Sequence, residues 1–195
     1  MTNLEIVERA LSLKNVKYWY GAKGQTATKE LADTLRKQNP RIWNDKYYEK
    51  AMKDLGKKVG DCSYLVCYSY NRPQIGSAQM AAVYKKADTP SKGMILWKKG
   101  HVGIYDSTVD GKGIVIELAG IDNDFRIRPY YKSQWEAILY DQNVDYIDYN
   151  KGWHKDKNGF WYAYGTHKGE YLKNKVISIP CVCTFDENGY LTGMR

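Results

Sequence analysis

Residues 59–70, VGDCSYLVCYSY, place a cysteine directly after an acidic residue and before a polar-apolar run. Asp61 follows a glycine and belongs to the residue types that cap helix N-termini by accepting a backbone hydrogen bond. Cys62 then takes the first helical position, and Leu65 and Val66 fall on its side of the helix. The stretch therefore predicts a helix that begins at Cys62, with Asp61 as its cap.

The position of Cys62 suits a nucleophile. A thiol attacks a carbonyl as its thiolate, and the free N–H groups at a helix start favour an anion, so we expect a lowered thiol pKa. A nucleophilic cysteine also needs a histidine to take its proton. The chain has three histidines, and His101 opens the strand-like run HVGIY at residues 101–105. His154 and His167 lie in polar turn-rich sequence.

Glu117 is a lone charge within the otherwise apolar run IVIELAG at residues 114–120. If residues 101–105 and 113–118 form a hairpin, Glu117 comes close to opposite His101. A carboxylate buried in such a strand costs desolvation energy unless a cationic partner is present. The sequence leaves two partners open, the His101 imidazole or a basic residue of FRIRPYYK at residues 125–132.

The order of local patterns predicts an α+β protein. Helical spacing comes first and short β-branched or aromatic runs follow, separated by turn residues, which indicates helices packed on an antiparallel sheet. The predicted helices cover residues 3–15, 26–56 (broken at Asn39-Pro40), 62 onward and 78–87. The predicted strands cover residues 94–97, 101–105, 113–120 and 125–131.

The composition changes near residue 149, which predicts a domain at 1–148 and a small appendage at 149–195. Aromatic residues become dense, and a D-x-N-G-aromatic unit occurs at 156–160 and again at 186–190. Asn-Gly between aromatic runs is a strong signal for a β-hairpin. We therefore expect the appendage to consist of hairpins.

Three segments resemble the NlpC-type cell-wall cysteine peptidases of the papain-like group. VGDCSYLV resembles the nucleophile motif D-C-S-x-L-V, KKGHVGIY the histidine strand, and NVKYWYGAKG the upstream aromatic segment. The resemblance implies a papain-like core of helices on an antiparallel sheet. It also implies hydrolysis of peptide bonds in peptidoglycan stems, with Cys62 as nucleophile, His101 as general base and Tyr18 as a hydroxyl that lines the site.

The chain departs from this family in two places. The third catalytic position is more usually His, Asn or Gln, where this sequence offers Glu117. The segment between Tyr18 and Cys62 is also longer, so residues 26–56 form a helical insert that would narrow the substrate groove. Ser63 and Trp97 are further candidate substrate-binding residues. Core packing remains an alternative for Tyr18, and Asp61 is expected to act as a helix cap only.

The C-terminal segment resembles the aromatic cell-wall-binding repeats that follow many bacterial lysins. In such repeats, hairpins build aromatic cages for wall ligands through cation–π contacts. The candidate wall-binding residues are Trp153, Trp161 and Tyr162. Because repeats of this kind need neighbours to bury their faces, a single degenerate unit would pack on the catalytic domain or on a second chain, which would make a homodimer.

Charge and hydropathy limit the partners. Thirty basic against 22 acidic residues give a net charge of +8, which either aids solubility or attracts a polyanion such as an anionic wall polymer. The lysines are scattered and no nucleic-acid motif is present, so we expect no nucleic-acid partner. No apolar run reaches the roughly 18 residues of a membrane span, so we expect no membrane insertion.

The N-terminal residues lack the apolar core of a secretory signal. We therefore expect synthesis in the cytoplasm without a signal peptide and action on the wall after release, as for a phage or prophage endolysin. No metal or cofactor is implied. The remaining cysteines, Cys67, Cys181 and Cys183, are expected to be small buried residues.

The sequence thus predicts a peptidoglycan hydrolase, a cysteine endopeptidase that cleaves stem peptides. An N-acetylmuramoyl-L-alanine amidase or an acyltransferase on the same fold is one alternative. A non-catalytic wall-binding module with an inert thiol is the other.

Overall fold

The structure is a computed structural model that describes residues 1–107, 111–147, 152–156, 158–164, 170–178 and 182–195. The chain divides into two compact units. The first contains residues 1–107 and 112–145. The second contains Gly111 and the described residues from 146 onward.

The first unit has the mixed α+β character that the sequence predicts. Its first helix begins with a capping box, in which the Thr2 hydroxyl and the Glu5 carboxylate each accept a backbone N–H from the other residue. That helix ends earlier than the predicted boundary at residue 15. The helices are α1 (Asn3–Leu11), α2 (Lys29–Gln38), α3 (Asp45–Ala51), α4 (Cys62–Ser69) and α5 (Ser77–Val83), with 3₁₀ turns at Met52–Asp54 and Lys132–Gln134.

The main sheet of this unit has six antiparallel strands in the order β4-β9-β5-β6-β7-β8. Helix α4 packs against β6, and the thiol of Cys62 at the start of the helix accepts the backbone N–H of Val102 near the start of the strand. The strands are β4 (Lys85–Ala87), β5 (Ile95–Lys98), β6 (His101–Ser107), β7 (Gly113–Leu118), β8 (Phe125–Pro129) and β9 (Ala137–Tyr140).

The sheet corrects one prediction and extends another. The predicted helix at 78–87 is wrong at its end, because α5 stops at Val83 and residues 85–87 form β4. Strand β9 was not expected. These two strands pair with each other at one side of the sheet, so tertiary pairing rather than local preference decides their conformation.

A second sheet of three short strands carries the upstream aromatic segment. β3 (Lys58–Gly60) lies between β1 (Lys17–Tyr18), to which it is parallel, and β2 (Lys23–Thr26), to which it is antiparallel. Tyr18 pairs with Gly60, two residues before Cys62. A Cβ at Gly60 would lie 2.2 Å from the ring of Tyr64, so this close approach requires glycine.

The predicted insert at 26–56 contains helices α2 and α3, which share a core of their own. Trp19 and Trp43 meet edge to face with ring centroids 5.3 Å apart, and both are fully buried. Small side chains on α2 and α3 allow the helices to approach these rings. The buried members of this cluster are Trp19, Ala22, Ala27, Ala32, Leu35, Trp43, Ala51 and Val59.

The second unit contains the predicted hairpins. β10 (Gly152–Asp156) pairs with β11 (Gly159–Ala163), and β13 (Val182–Phe185) pairs with both β12 (Val176–Ser178) and β14 (Leu191–Met194), all antiparallel. Lys157, in the first D-x-N-G turn, lies outside the described residues. Within the described part of the chain, no helix combines the length and apolarity needed to cross a membrane.

Candidate active site

The nucleophile candidate lies where the sequence predicts it. Cys62 is the first residue of α4, and the Asp61 carboxylate caps the helix by accepting the Tyr64 N–H at 2.8 Å. Its other oxygen accepts the Gly21 N–H at 3.2 Å, which ties the β1–β2 loop to the helix start. The predicted helix start and the predicted cap are both confirmed. Asp61 therefore fixes Cys62 relative to the upstream aromatic segment.

The thiol of Cys62 is 7% exposed, and its electrostatics differ from the sequence expectation. Burial and the neighbouring Asp61 carboxylate raise its pKa to about 12, while hydrogen bonds from the backbone N–H groups of Val102, Ser63 and Cys62 itself oppose that rise. The expected lowering of the pKa is therefore wrong for the free protein. The N–H groups of the helix start are present, but desolvation outweighs them.

We expect Cys62 in the free protein to react with iodoacetamide at pH 7 at least about tenfold more slowly than a free cysteine, because a thiol with a raised pKa is almost entirely protonated there. The alkylation rate should climb as the pH rises beyond 9. Peptide mass spectrometry of partially labelled protein separates Cys62 from the other thiols. Fast, selective labelling of Cys62 near pH 6 would contradict a buried neutral thiol.

The structure joins His101 and Glu117. His101 begins β6, and its Nε2 lies 2.7 Å from Oε2 of Glu117 on β7. Ile104 pairs with Ile116, so Gly103 comes opposite Glu117 and His101 is its diagonal neighbour rather than its direct partner. A Cβ at Gly103 would lie 2.9 Å from Cγ1 of Val115 and 3.2 Å from the carbonyl oxygen of Ile116, so the close approach of β6 and β7 at this position favours glycine.

Glu117 is fully buried and still ionised, because hydrogen-bond donors reach both of its carboxylate oxygens. Burial by itself raises its pKa, but His101, Arg128 and Arg126 outweigh burial and hold the pKa at about 2. Oε1 accepts from Nε of Arg126 at 2.8 Å and from Nε of Arg128 at 2.6 Å. Both partners that the sequence left open are thus present, the imidazole on one oxygen and the basic strand on the other.

The bond to Glu117 fixes the tautomer of His101. An ionised carboxylate can only accept, so Nε2 of the imidazole carries the proton and Nδ1 of the neutral ring has the free lone pair. Trp135 stacks on this ring at a centroid distance of 5.8 Å and an interplanar angle of 21°. The indole shields the imidazole, which is 16% exposed, and so strengthens its bond to the carboxylate.

Tyr18 lies close enough to Cys62 for the two side chains to interact electrostatically. Its side chain is 8% exposed, and burial together with the nearby Cys62, Tyr47 and Asp61 raises its pKa, so the hydroxyl stays protonated. Tyr47, on helix α3 of the insert, accepts the Tyr20 N–H through its hydroxyl at 2.7 Å. The insert therefore contributes a side chain to the surroundings of Tyr18.

The two other candidate substrate-binding residues have different surroundings. Ser63 is 6% exposed, and its hydroxyl donates to Asp61 at 2.7 Å and accepts from Gln74 at 3.0 Å, which suits a role in fixing the helix start. Trp97 pairs with Val102 across the β5–β6 hairpin, and its indole donates to the carbonyl of Ser77 at 2.7 Å. Trp97 thus lies on the sheet face that bears Val102.

The candidate wall-binding residues do not share one surface. Trp153 and Tyr162 are cross-strand partners on one face of the β10–β11 hairpin, with ring centroids 5.3 Å apart. Trp161 is adjacent in sequence to Tyr162 and so points to the other face, where it stacks on His154 at 4.3 Å. Any single aromatic platform here includes Trp153 and Tyr162 but not Trp161. His167 lies outside the described residues.

Of the remaining cysteines, Cys67 and Cys183 are buried, as expected, and Cys181 lies outside the described residues.

Sequence reasoning did not single out Trp135 as a partner of His101. It named Arg126 and Arg128 only as members of a basic run. The alternation R-x-R was the available signal, because alternate residues of a strand share a face. Arg128 therefore lies on the same face of β8 as Arg126, the cross-strand partner of Glu117. In the described part of the chain, no cluster of His, Cys, Asp and Glu could hold a metal ion.

Comparisons with known proteins leave the family open. No protein-family model matches the chain, and no curated protein is significantly similar to it.

Proposed function

We propose that the protein is a cysteine hydrolase that cleaves amide bonds, with Cys62 as nucleophile, His101 as general base and Glu117 as the residue that orients the imidazole. The observation that carries this proposal is the position of the Cys62 thiol against the backbone N–H of Val102, the residue that follows His101. The Glu117 bond to Nε2 leaves the proton exchange with the thiol to Nδ1.

The proposed reaction begins from a neutral thiol and a neutral imidazole. The Cys62 proton passes to Nδ1 of His101 as the sulfur attacks the substrate carbonyl, a C–S bond forms and the carbonyl electron pair moves onto oxygen. The imidazolium then gives its proton to the amide nitrogen, and the C–N bond breaks. Water attacks the resulting thioester with His101 again as base, which breaks the C–S bond and restores the thiol.

The site offers donors for the oxyanion of this reaction. The backbone N–H groups of Cys62, Ser63 and Val102 converge on the sulfur, and the protonated Tyr18 hydroxyl is close by. Donors fixed at such a place stabilise charge that develops on the neighbouring carbonyl oxygen. We assign the oxyanion to this group of donors.

We propose bacterial peptidoglycan as the substrate, with cleavage in the stem peptide by an endolysin-like enzyme. The motifs around Cys62, His101 and Tyr18 support this through their resemblance to NlpC-type peptidases. The packing of the Cys62 helix against an antiparallel sheet agrees with the fold that this resemblance implies. A net charge of +8 favours approach to an anionic wall. The aromatic pair Trp153 and Tyr162 gives the second unit a surface suited to a wall ligand.

A binding module with an inert thiol is the competing function, and the raised pKa of Cys62 favours it. Digestion of purified peptidoglycan by the full chain decides between them. The endopeptidase releases fragments whose new amine lies within the stem peptide, as mass spectrometry of the products will show. An amidase instead separates the stem from the sugar, and a binding module releases nothing. Release of nothing would overturn the proposed cysteine hydrolase. Amidase products would overturn the assignment of the stem peptide and leave the cysteine hydrolase standing.

A further inference from the structure

Glu117 receives more positive charge than one imidazole supplies. Its Oε2 is bonded to Nε2 of His101 at 2.7 Å, while Oε1 accepts from Nε of both Arg126 and Arg128, at 2.8 and 2.6 Å. The carboxylate side chain is fully buried, so solvent screens these interactions little. One negative charge therefore faces two permanent positive charges before the imidazole takes any proton.

The strand register explains how both arginines reach one carboxylate. Arg126 is the direct cross-strand partner of Glu117, and Arg128 is the partner of Val115 on the same face. Ile127, between the two arginines, points to the opposite face and is 49% exposed. Alternation along β8 thus delivers two guanidinium groups to the side of the sheet that carries the histidine.

This charge arrangement bears on the protonation of His101. A buried carboxylate alone favours the imidazolium, since an opposite charge stabilises the charged form of its partner. The two guanidinium groups act in the other direction. Lys98 adds to them, because it pairs with His101 across the β5–β6 hairpin and lies over the Trp135 ring.

Other ionisable groups belong to neighbouring elements. Helix α4 supplies the neutral Cys62 thiol and the Asp61 cap. The segment before β9 supplies Glu136, whose carboxylate accepts the Lys99 N–H at 3.1 Å. Among the described groups that contact Glu117, positive charge exceeds negative charge even when the imidazole is neutral.

We propose that Arg126 and Arg128 are positioning residues that balance the charge of Glu117, so that His101 rests as a neutral imidazole with Nδ1 ready to accept the Cys62 proton; this inference rests on the proposed cysteine-hydrolase function. With its charge balanced by Arg126 and Arg128, the Glu117 carboxylate orients the His101 imidazole as a neutral amide would. The resting state is then a neutral thiol beside a neutral imidazole, and charge separates only during attack on the substrate.

The test is an NMR titration of the imidazole resonances in the full chain. With three histidines in the sequence, the His101 signals can be assigned by comparison with a His101→Gln variant. In Arg126→Gln and Arg128→Gln, the titration midpoint of His101 should move about 0.5–1 pH unit higher than in the wild type, because one opposing charge is gone. The acidic limb of the kcat/KM profile should move in the same direction.

Lysine variants separate charge from mere packing. Arg126→Lys and Arg128→Lys retain the positive charge, so their midpoints should stay close to that of the wild type. Arg72→Gln is the matched control, because Arg72 makes a two-bond contact with a different carboxylate, Asp141, and should leave the midpoint unchanged. If Arg128→Gln fails to fold, the Arg126 variants carry the test, since that side chain is 40% exposed.

The outcomes distinguish this inference from the proposed function. An unchanged midpoint in both glutamine variants, in a protein that digests peptidoglycan, overturns the charge balance and leaves the function standing. A shifted midpoint in a protein that digests nothing supports the charge balance and removes its catalytic purpose. A midpoint that falls in the glutamine variants contradicts the inference outright.

Discussion

Replacing Cys62 by alanine should lower the rate of peptidoglycan digestion by at least about 10⁴-fold, because the proposed reaction needs the Cys62 sulfur to form its thioester. Cys62→Ser should be nearly as inactive, since a hydroxyl at this position holds its proton still more firmly. The measurement is the release of new amino groups from purified wall at fixed enzyme concentration. Wall binding, followed by sedimentation with the same material, should not change.

Cys67→Ala is the matched control for this experiment. Cys67 lies in the same helix and is 2% exposed, but its sulfur contacts the backbone of Ile75 rather than the residues around His101. The variant should lose some stability and keep its rate of digestion. Digestion that survives in Cys62→Ala would remove the catalytic assignment, whatever the control shows.

The start of helix α4 could be predicted because its signals are local. A glycine before Asp61, a side chain that accepts the Tyr64 N–H, and an apolar run afterwards all act within one helical turn. Strands β4 and β9 could not be predicted in the same way. Residues 85–87, Lys-Lys-Ala, have no β-type pattern, and only their pairing with a distant part of the chain makes them a strand.

The site shows the same division between local and tertiary effects. Glu117 was recognisable as a carboxylate that needs a partner, because a lone charge in an apolar strand is a local feature. That it serves His101 and two arginines at once depends on the register of three strands. The pKa of Cys62 was predicted in the wrong direction, because the helix N-terminus is a local effect whereas burial under β6 is a tertiary one.

Glu117→Gln should reduce kcat by about 10²–10³-fold and destabilise the protein by about 2–4 kcal/mol. The amide keeps the size of the side chain but removes the negative charge, so Arg126 and Arg128 lose their common counter-ion. During catalysis the imidazolium of His101 would then form beside two uncompensated cations. Urea unfolding and the rate of wall digestion measure the two effects separately.

Asp141→Asn provides a control in which a carboxylate is also removed from an arginine. Asp141 is 7% exposed at its side chain and accepts from Arg72 at 2.8 and 3.0 Å. Loss of this carboxylate should lower stability, but kcat should remain near the wild-type value. Among the contacts that the structure describes, none joins Arg72 or Asp141 to a proposed catalytic residue. Equal losses of kcat in both variants would mean that Glu117 acts only through stability.

The pH dependence of stability gives an independent measure of the same charge cluster. The pKa of Glu117 is about 2 in the folded protein against an ordinary value of 4.5, so the folded state favours the ionised form. The corresponding stability, on the order of 3 kcal/mol, is present above pH 4.5 and is lost as the pH falls towards 2. Unfolding free energies at pH 5, 4 and 3 should therefore decline more steeply in the wild type than in Glu117→Gln. Equal slopes would show that Glu117 is not held ionised by His101, Arg126 and Arg128, and its proposed role in orienting the imidazole would fail as well.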